Sequence, residues 1–410
     1  MLEGHQRAGW QPSKLGIGRL YTPVMSVTFE ELSRTVCEIG SQWRADRTAR
    51  QARRSLDQAD FDLLREAGLL TAIAPLDAGG LWNGVESSVR PICELYRSLA
   101  SADPSVALVS SMHPAVIAFW LSSPDSTQPE WEAQRQAVFA SAAAGVQWGT
   151  ITSEPGSGGD IARTRAVARP IDGAGAIPGR TYTVTGDKHF GSGSGITDRM
   201  MTTAVPEGEA DPTIFVLDVR GRPWDGSAGM TLIAEWDGIG MAATQSHAMR
   251  LDGAPAVRLA WNGRLDSISR AAGPVISTLF TAVVLGVLDE AIAVARDQVR
   301  ARAADMRPFE QVEWSRAEQD HWVAVQAYEG ALRAIENGTP EVAFHAALRA
   351  KEAVADLAEA TLRRVTRVLG GGTFSQRSPF AHWFEDVRAL GFLRPPWGLA
   401  YDNLFATSIQ

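Results

Sequence analysis

The sequence predicts an α+β protein of three parts, a β region between two helical ones, and three successive textures along its 410 residues predict it. Apolar residues recur at three and four positions from Val27 to residue 146. Thr-, Val- and Gly-rich stretches with period-two alternation fill 147–265, and helical periodicity returns over 266–410. At roughly 100–200 residues per domain, the length calls for two or three. Residues 1–26 read as an N-terminal arm.

In the first region FEELSRTVCEIGSQWRA, DFDLLREAGLL and ESSVRPICELYRSLASADPSVALVSSMHPAVIAFWL each place apolar residues on one helical face, with Asp, Gly and Pro at their ends. The second region reads as a β domain of sandwich or barrel type: TYTVTGDKHF, DPTIFVLDV and HAMRLDGAPAV alternate between turn residues. The third holds long helices at about 271–303, 311–337 and 340–369, then the Gly-rich break LGGGTF and a Pro-rich tail. The most apolar run of the chain, Gly273 to Leu288, falls short of a membrane span and reads as a buried core helix.

Hydrophobic residues make up 45% and charged residues 21%, the balance of a folded chain. A net charge of −8 gives no attraction to nucleic acid or to an anionic membrane, so neither is expected as a partner. Two cysteines, Cys37 and Cys93, are too few for a disulfide framework and lack zinc-ligand spacing. No metal is expected, and a reducing cytoplasm fits. Residues 1–26 hold no apolar segment of signal-peptide type.

Five motifs carry chemistry: GLLTAIAPLDAGG (Gly68 to Gly80), ITSEPGSGGD (Ile151 to Asp160), GDKHFGSGSG (Gly186 to Gly195), WDGIGMAATQSHAMRLDGAPAV (Trp236 to Val257) and RVLGGGTFSQRSPFAHWFEDVR (Arg367 to Arg388). Small residues with hydroxyls suit a flat ring that is apolar on its faces and hydrogen-bonding along one edge, although Gly and Ser also simply make turns. In this order the motifs resemble the acyl-CoA dehydrogenase family. The resemblance implies an N-terminal helical domain, a middle β domain, a C-terminal four-helix bundle and a flavin, FAD or FMN. It implies that Thr150, Thr152, Ser153, Gly158 and Gly159 on one strand, and Phe190 and Ser192 on the other, face the flavin. It further implies that the Gly-rich break, with Gly370 and Gly371, meets the flavin diphosphate of a neighbouring subunit, hence a homo-oligomer, dimer or tetramer. Arg367 is either a phosphate fork there or an ordinary solvated helix residue, and Arg302 and Arg307 compete for the family's arginine in ARAADMRPFEQ.

The chain departs from that family where chemistry is decided. The family's proton-abstracting glutamate falls on Arg394 or Pro396, and neither can accept a proton at neutral pH. Asp266 is the alternative base, or else a helix cap. The tail DVRALGFLRPP is similar instead to the flavin monooxygenase branch, which includes dibenzothiophene and sulfone monooxygenases, with N-hydroxylases related. Those enzymes take reduced flavin from a separate reductase and use O₂ to oxygenate sulfur, nitrogen or carbon. The resemblance implies His113 and Ser192 as catalytic groups; Leu393 replaces the branch's second histidine. His113 precedes Pro114, as at a helix start, and a lone histidine among apolar residues is also commonly structural. Trp120, Trp148, Trp397 and Arg394 are candidate substrate contacts, the tryptophans suiting a ring. The expected function is a two-component flavin monooxygenase acting on a small aromatic or amine-containing metabolite. The alternatives are an acyl-CoA or carrier-bound acyl dehydrogenase with a non-standard base, or a silent subunit of a hetero-oligomer.

Overall fold

In the computed structural model, residues 27–123, 128–261 and 263–409 are described, and the N-terminal arm predicted over 1–26 lies outside the described residues. Six helices come first: α1 (Phe29–Ala45), α2 (Arg47–Gln51), α3 (Gln58–Glu66), α4 (Val85–Ala100), α5 (Pro104–Leu121) and α6 (Pro129–Ala143). Their starts follow from side chains that satisfy the first free amides. Thr28 and Glu31 form a reciprocal cap on α1, while Asp57 caps α3 and Asp103 caps α5 ahead of Pro104. In α4 the residues Val89, Ile92, Cys93, Tyr96 and Leu99 are buried on one face; α5 is buried almost all round.

Seven strands follow: β1 (Trp148–Thr150), β2 (Val167–Pro170), β3 (Thr181–Gly191), β4 (Arg199–Pro206), β5 (Thr213–Asp218), β6 (Met230–Ala234) and β7 (His247–Arg258). Along one edge β4 takes β1 and then β2, both parallel; along the other it pairs antiparallel with β5. From β5 the pairing runs through β7 and β3 back to β2, which closes a ring of five strands with β1 and β6 attached. Of the two architectures expected, this is the barrel. Its interior is filled by Ala168, Val184, Met200, Phe215, Leu217, Met249 and Leu251. The period of two divides β1 and the residue after it: Trp148 joins the helical core and Ile151 the barrel core.

The last region contains α7 (Leu265–Ala301), α8 (Pro308–Asn337), α9 (Pro340–Leu369), α10 (Pro379–Val387) and α11 (Trp397–Ser408). Three of these are long. The fourth member of the expected four-helix bundle is divided into the short α10 and α11, because Pro379, Gly391 and the Pro395–Pro396 pair interrupt any longer helix. The run Gly273 to Leu288 lies inside α7. By length and composition α7 and α5 could each cross a membrane, which corrects the expectation that this region is too short. Their apolar windows are 83% and 94% buried inside the protein, so here they serve as core helices. Ion pairs Arg97–Asp289, Arg44–Glu290 and Arg90–Glu329 tie the first helical region to the last.

Candidate active site

Beneath the loop that leaves β1, a buried ion pair fixes the backbone. Lys188 Nζ lies 2.6 Å from Glu154 Oε1 and 2.6 Å from the Thr203 carbonyl, with Thr164 Oγ1 at 3.2 Å. Glu154 also accepts from the Arg165 amide at 2.7 Å and from the Thr164 hydroxyl. Burial by itself would raise the Glu154 carboxyl, yet hydrogen bonds from Lys188, Thr164 and Arg165 carry it below its ordinary range. Burial pulls the Lys188 ammonium down against the same partner. Both groups are therefore committed to each other. Sequence reasoning singled out neither, although both lie within the quoted motifs; the available signal was one charge of each sign among small and apolar strand residues.

Above this pair the two motif strands present their side chains. The His189 amide donates to the Ser153 carbonyl at 2.8 Å, which brings the loop beside β3. Thr150, Thr152 and Ser153 are half-buried. Phe190 adopts a left-handed backbone, φ 59°, that leaves its ring 57% exposed, edge-on to Trp236. Ser192 is buried, and its hydroxyl lies 2.8 Å from that of Ser246, which is 2.8 Å from that of Thr244. Thr244 in turn donates to the Met241 carbonyl at 2.8 Å. Met241 is anchored from α10, where Asp386 Oδ1 accepts its amide at 2.6 Å. Burial pushes that carboxyl up to about 7. Asp386, Thr244 and Ser246 were not predicted; Thr244 and Ser246 stand inside the Trp236 to Val257 motif and Asp386 inside the Arg367 to Arg388 motif.

The C-terminal tail closes onto the same loop. Arg394 donates to the Gly159 carbonyl at 2.8 Å and to Ser153 Oγ at 3.1 Å. No described carboxylate lies within ion-pair distance of it, and burial lowers its guanidinium to about 10, still protonated at neutral pH. Pro396 packs on Gly159 so closely that a Cβ there would come within 2.7 Å of it, whereas Gly158 faces open space. Trp397 begins α11 with 58% of its surface exposed.

Other predicted residues lie elsewhere. His113 is not at a helix start but well inside α5, completely buried. Its Nε2 lies 2.8 Å from the Leu70 carbonyl, and its Nδ1 accepts the Trp148 amide at 3.1 Å. Nε2 therefore carries the proton and donates. Burial drops the imidazole to about 4, so it is neutral, and with both nitrogens spent it cannot address a ligand. Trp120 and Trp148 are fully buried and do not line a substrate site. Trp120 stacks on Trp131 at 6.3 Å and meets Trp148 edge-on at 5.6 Å, in the joint between helices and sheet. Asp266 lies in the first turn of α7 with its side chain 71% exposed, 3.1 Å from Arg264, so it is neither the helix cap nor a base held in a site.

At the far end of the bundle, Arg302 donates to the Val368 carbonyl and faces Glu310 at 3.7 Å, with its side chain 39% exposed. Arg307, at the N-cap of α8, and Arg367, in the last turn of α9, are exposed. Gly370, Gly371 and Gly372 have open space where a Cβ would stand. Among the described residues no hydrogen bond links this group to Ser153 or Ser192, and none contains three or more His, Cys, Asp or Glu grouped to hold a metal.

No protein-family model matches the chain. It is 26% identical over 355 residues to the amino sugar nitrososynthase DnmZ of Streptomyces peucetius, covering 82% of each chain. It is 25% identical over 268 residues to the probable FMNH2-dependent monooxygenase SfnC of Pseudomonas putida, covering 63% of this chain and 60% of that one. The chain thus spans less than two thirds of SfnC. Butyryl-CoA dehydrogenase from Megasphaera elsdenii superposes with a TM-score of 0.77 at 18% identity, over 95% of this chain and 100% of that one. The chain has the acyl-CoA dehydrogenase fold. Tested against a flavin, the residues present fit: an aromatic face at Phe190, open space at Gly158, and hydroxyls at Ser153 and Ser192 meet the needs of a ring with one polar edge.

Proposed function

We propose that this protein is a flavin-dependent monooxygenase of the two-component kind, acting on a small aromatic or amine-containing metabolite. The observation that supports the reading is Arg394, a cation bonded to Ser153 and Gly159, where the resemblance sets the dehydrogenases' carboxylate at Arg394 or Pro396. Of the acids considered, Glu154 is paired with Lys188, Asp160 lies in the electrostatic reach of Arg394, and Asp266 is exposed beside Arg264. A site without a base is poorly suited to remove the α-proton of a thioester. Thr150, Thr152, Ser153, Gly158, Phe190 and Ser192 would hold the ring, and Arg394 with Trp397 would border the substrate. When bound, reduced flavin supplies the two electrons that let one atom of O₂ enter the product and the other leave as water. The protein's part is to orient that edge and to exclude water from it.

The exposed side chains of Arg307 and Arg367 and the uncrowded turn at Gly370 and Gly371 have the room to receive a phosphate, and in a homodimer or homotetramer they would serve a neighbouring subunit's flavin. A reducing cytoplasm with a separate flavin reductase is the setting this chemistry needs. The test supplies reduced FMN or FAD from a reductase under ¹⁸O₂ to thioether, indole and amine probes, and expects one ¹⁸O atom in a product. Quantitative conversion of O₂ to hydrogen peroxide with every probe, or anaerobic bleaching of bound flavin by an acyl thioester, would overturn the reading.

A further inference from the structure

Arg394 is a cation for which the fold supplies no paired carboxylate. Two of the five N–H groups of its guanidinium go to neutral oxygens, the Gly159 carbonyl and the Ser153 hydroxyl, which leaves three for a ligand. Its neighbours do not redress the balance. Lys188 lies within its electrostatic reach, and Glu154 is that lysine's own partner. Arg165 donates to the Pro155 carbonyl at 2.6 Å, again a neutral acceptor. Asp160 pulls on Arg394 from beyond ion-pair distance, with one carboxylate oxygen holding the Ala162 amide at 2.9 Å. Lys188, Arg165 and Arg394 thus stand against Glu154 and Asp160. The start of α11 adds to the same side: its N-cap, Pro396, packs on Gly159, and its first turn carries neither a capping side chain nor an acid. Apolar surface borders the cation. Phe392 and Trp397, on either side of it in the chain, are each more than half exposed, as is Phe190 beside the strand that meets Ser153.

We propose that Arg394 determines specificity by binding the carboxylate of an aromatic acid, so that the substrate is a ring with a negative end. The proposal rests on the monooxygenase reading above and narrows its substrate to the aromatic kind, with the charge added. Exposed rings beside an unpaired cation match a molecule that is apolar along most of its length and anionic at one end. A guanidinium meets a planar carboxylate through parallel N–H···O bonds, a geometry that an ammonium side chain does not offer. Burial lowers the Arg394 guanidinium to about 10, a penalty that an arriving carboxylate offsets, and the group stays charged through the neutral range. The same charge repels an ammonium, so an amine substrate is disfavoured.

The test measures binding to the full chain by calorimetry, in the presence of oxidised FMN and without turnover, for three probes of one shape: naphthoate, naphthamide and naphthylmethylamine. Naphthoate is expected to bind at least about tenfold more tightly than naphthamide, the worth of a hydrogen bond to a charged group, and the amine more weakly than either. R394Q should abolish the advantage of acid over amide, and R394K should restore only part of it. D160N keeps an oxygen for the Ala162 amide while deleting the competing charge, and should widen the advantage by about twofold to threefold. Equal binding of acid and amide by the parent, or an R394Q protein that keeps the preference, would overturn the proposal. Should R394Q fail to fold, D160N decides: an advantage that stays the same or shrinks there would overturn it too. Oxygenation of the amide or the amine in preference to the acid would overturn it while leaving the monooxygenase reading in place. Selective binding of naphthoate with no oxygenation of any probe would remove the monooxygenase reading and leave the carboxylate site.

Discussion

Trp148 and Ser153 are five residues apart, yet they belong to two different kinds of region. Around Trp148 the joint is closed: His113 bridges two backbone groups, and Trp120 and Trp131 pack against it without exposure. Around Ser153 the site is open: Phe190 and Trp397 stand more than half exposed, and Arg394 bonds only to neutral acceptors. The closed region holds a histidine and tryptophans, the open one an arginine and a tryptophan, all residue types with chemistry to offer. What separates the regions is the destination of each polar atom, since a group whose bonds are all made inside the fold has none left for a ligand.

The contrast can be broken by substitution. The largest effect is expected beneath the open site, where K188M would strand the buried Glu154 carboxylate and cost about 3–5 kcal/mol in urea unfolding. In the closed joint, H113A leaves the Leu70 carbonyl and the Trp148 amide unpaired and should cost about 2–4 kcal/mol. A folded H113A protein of parental stability that had lost activity would place His113 in the chemistry after all.

A pH series sharpens the comparison. His113 titrates near 4 in the folded chain against about 6.5 when unfolded, so its contribution is complete above pH 6.5 and is lost as pH falls toward 4. Asp386 runs the other way. Its folded value of about 7 lies above the unfolded value of about 3.9, so the folded state holds an extra proton between them and stability declines as pH rises across that window. D386N should therefore gain on the order of 2 kcal/mol at pH 8 and lose stability more steeply than the parent on acidification from 6.5 to 4. Parallel pH curves for the two proteins would refute the assignment. On the open side R394Q should cost only about 1 kcal/mol of stability while reducing product formed per reduced flavin consumed. The smallest change is expected from D266N, within about 0.5 kcal/mol and with product yield unchanged, because its ion pair is solvated.

The three textures of the chain were legible because burial imposes a period of 3.6 on helices and 2 on strands, and Gly, Pro and the capping residues mark the boundaries. The motif strands were legible in kind: Ser153, Phe190 and Ser192 come together as neighbours. Partnerships between distant residues were not legible. Lys188 and Glu154 are 34 residues apart, and each alone reads as an ordinary charge on a strand. His113 looked available because its two acceptor and donor partners, Leu70 and Trp148, lie in different elements, 43 and 35 residues away. The divided fourth helix was signalled by its prolines but masked by the apolar residues on either side.

The chain of indoles at the closed joint has an optical consequence. Trp120, Trp131, Trp148 and Trp261 follow one another at 5.5 to 6.3 Å, close enough for excitation absorbed by one to be shared among all four. Three of them are sealed from solvent, whereas Trp322 and Trp397 are 62% and 58% exposed. The protein's own emission should therefore divide into a blue component, from the joint together with the buried Trp43, Trp82 and Trp383, and a red component, open to iodide quenching, from the surface. Loss of the blue component on heating would date the opening of the helical core and its joint with the barrel without any added label.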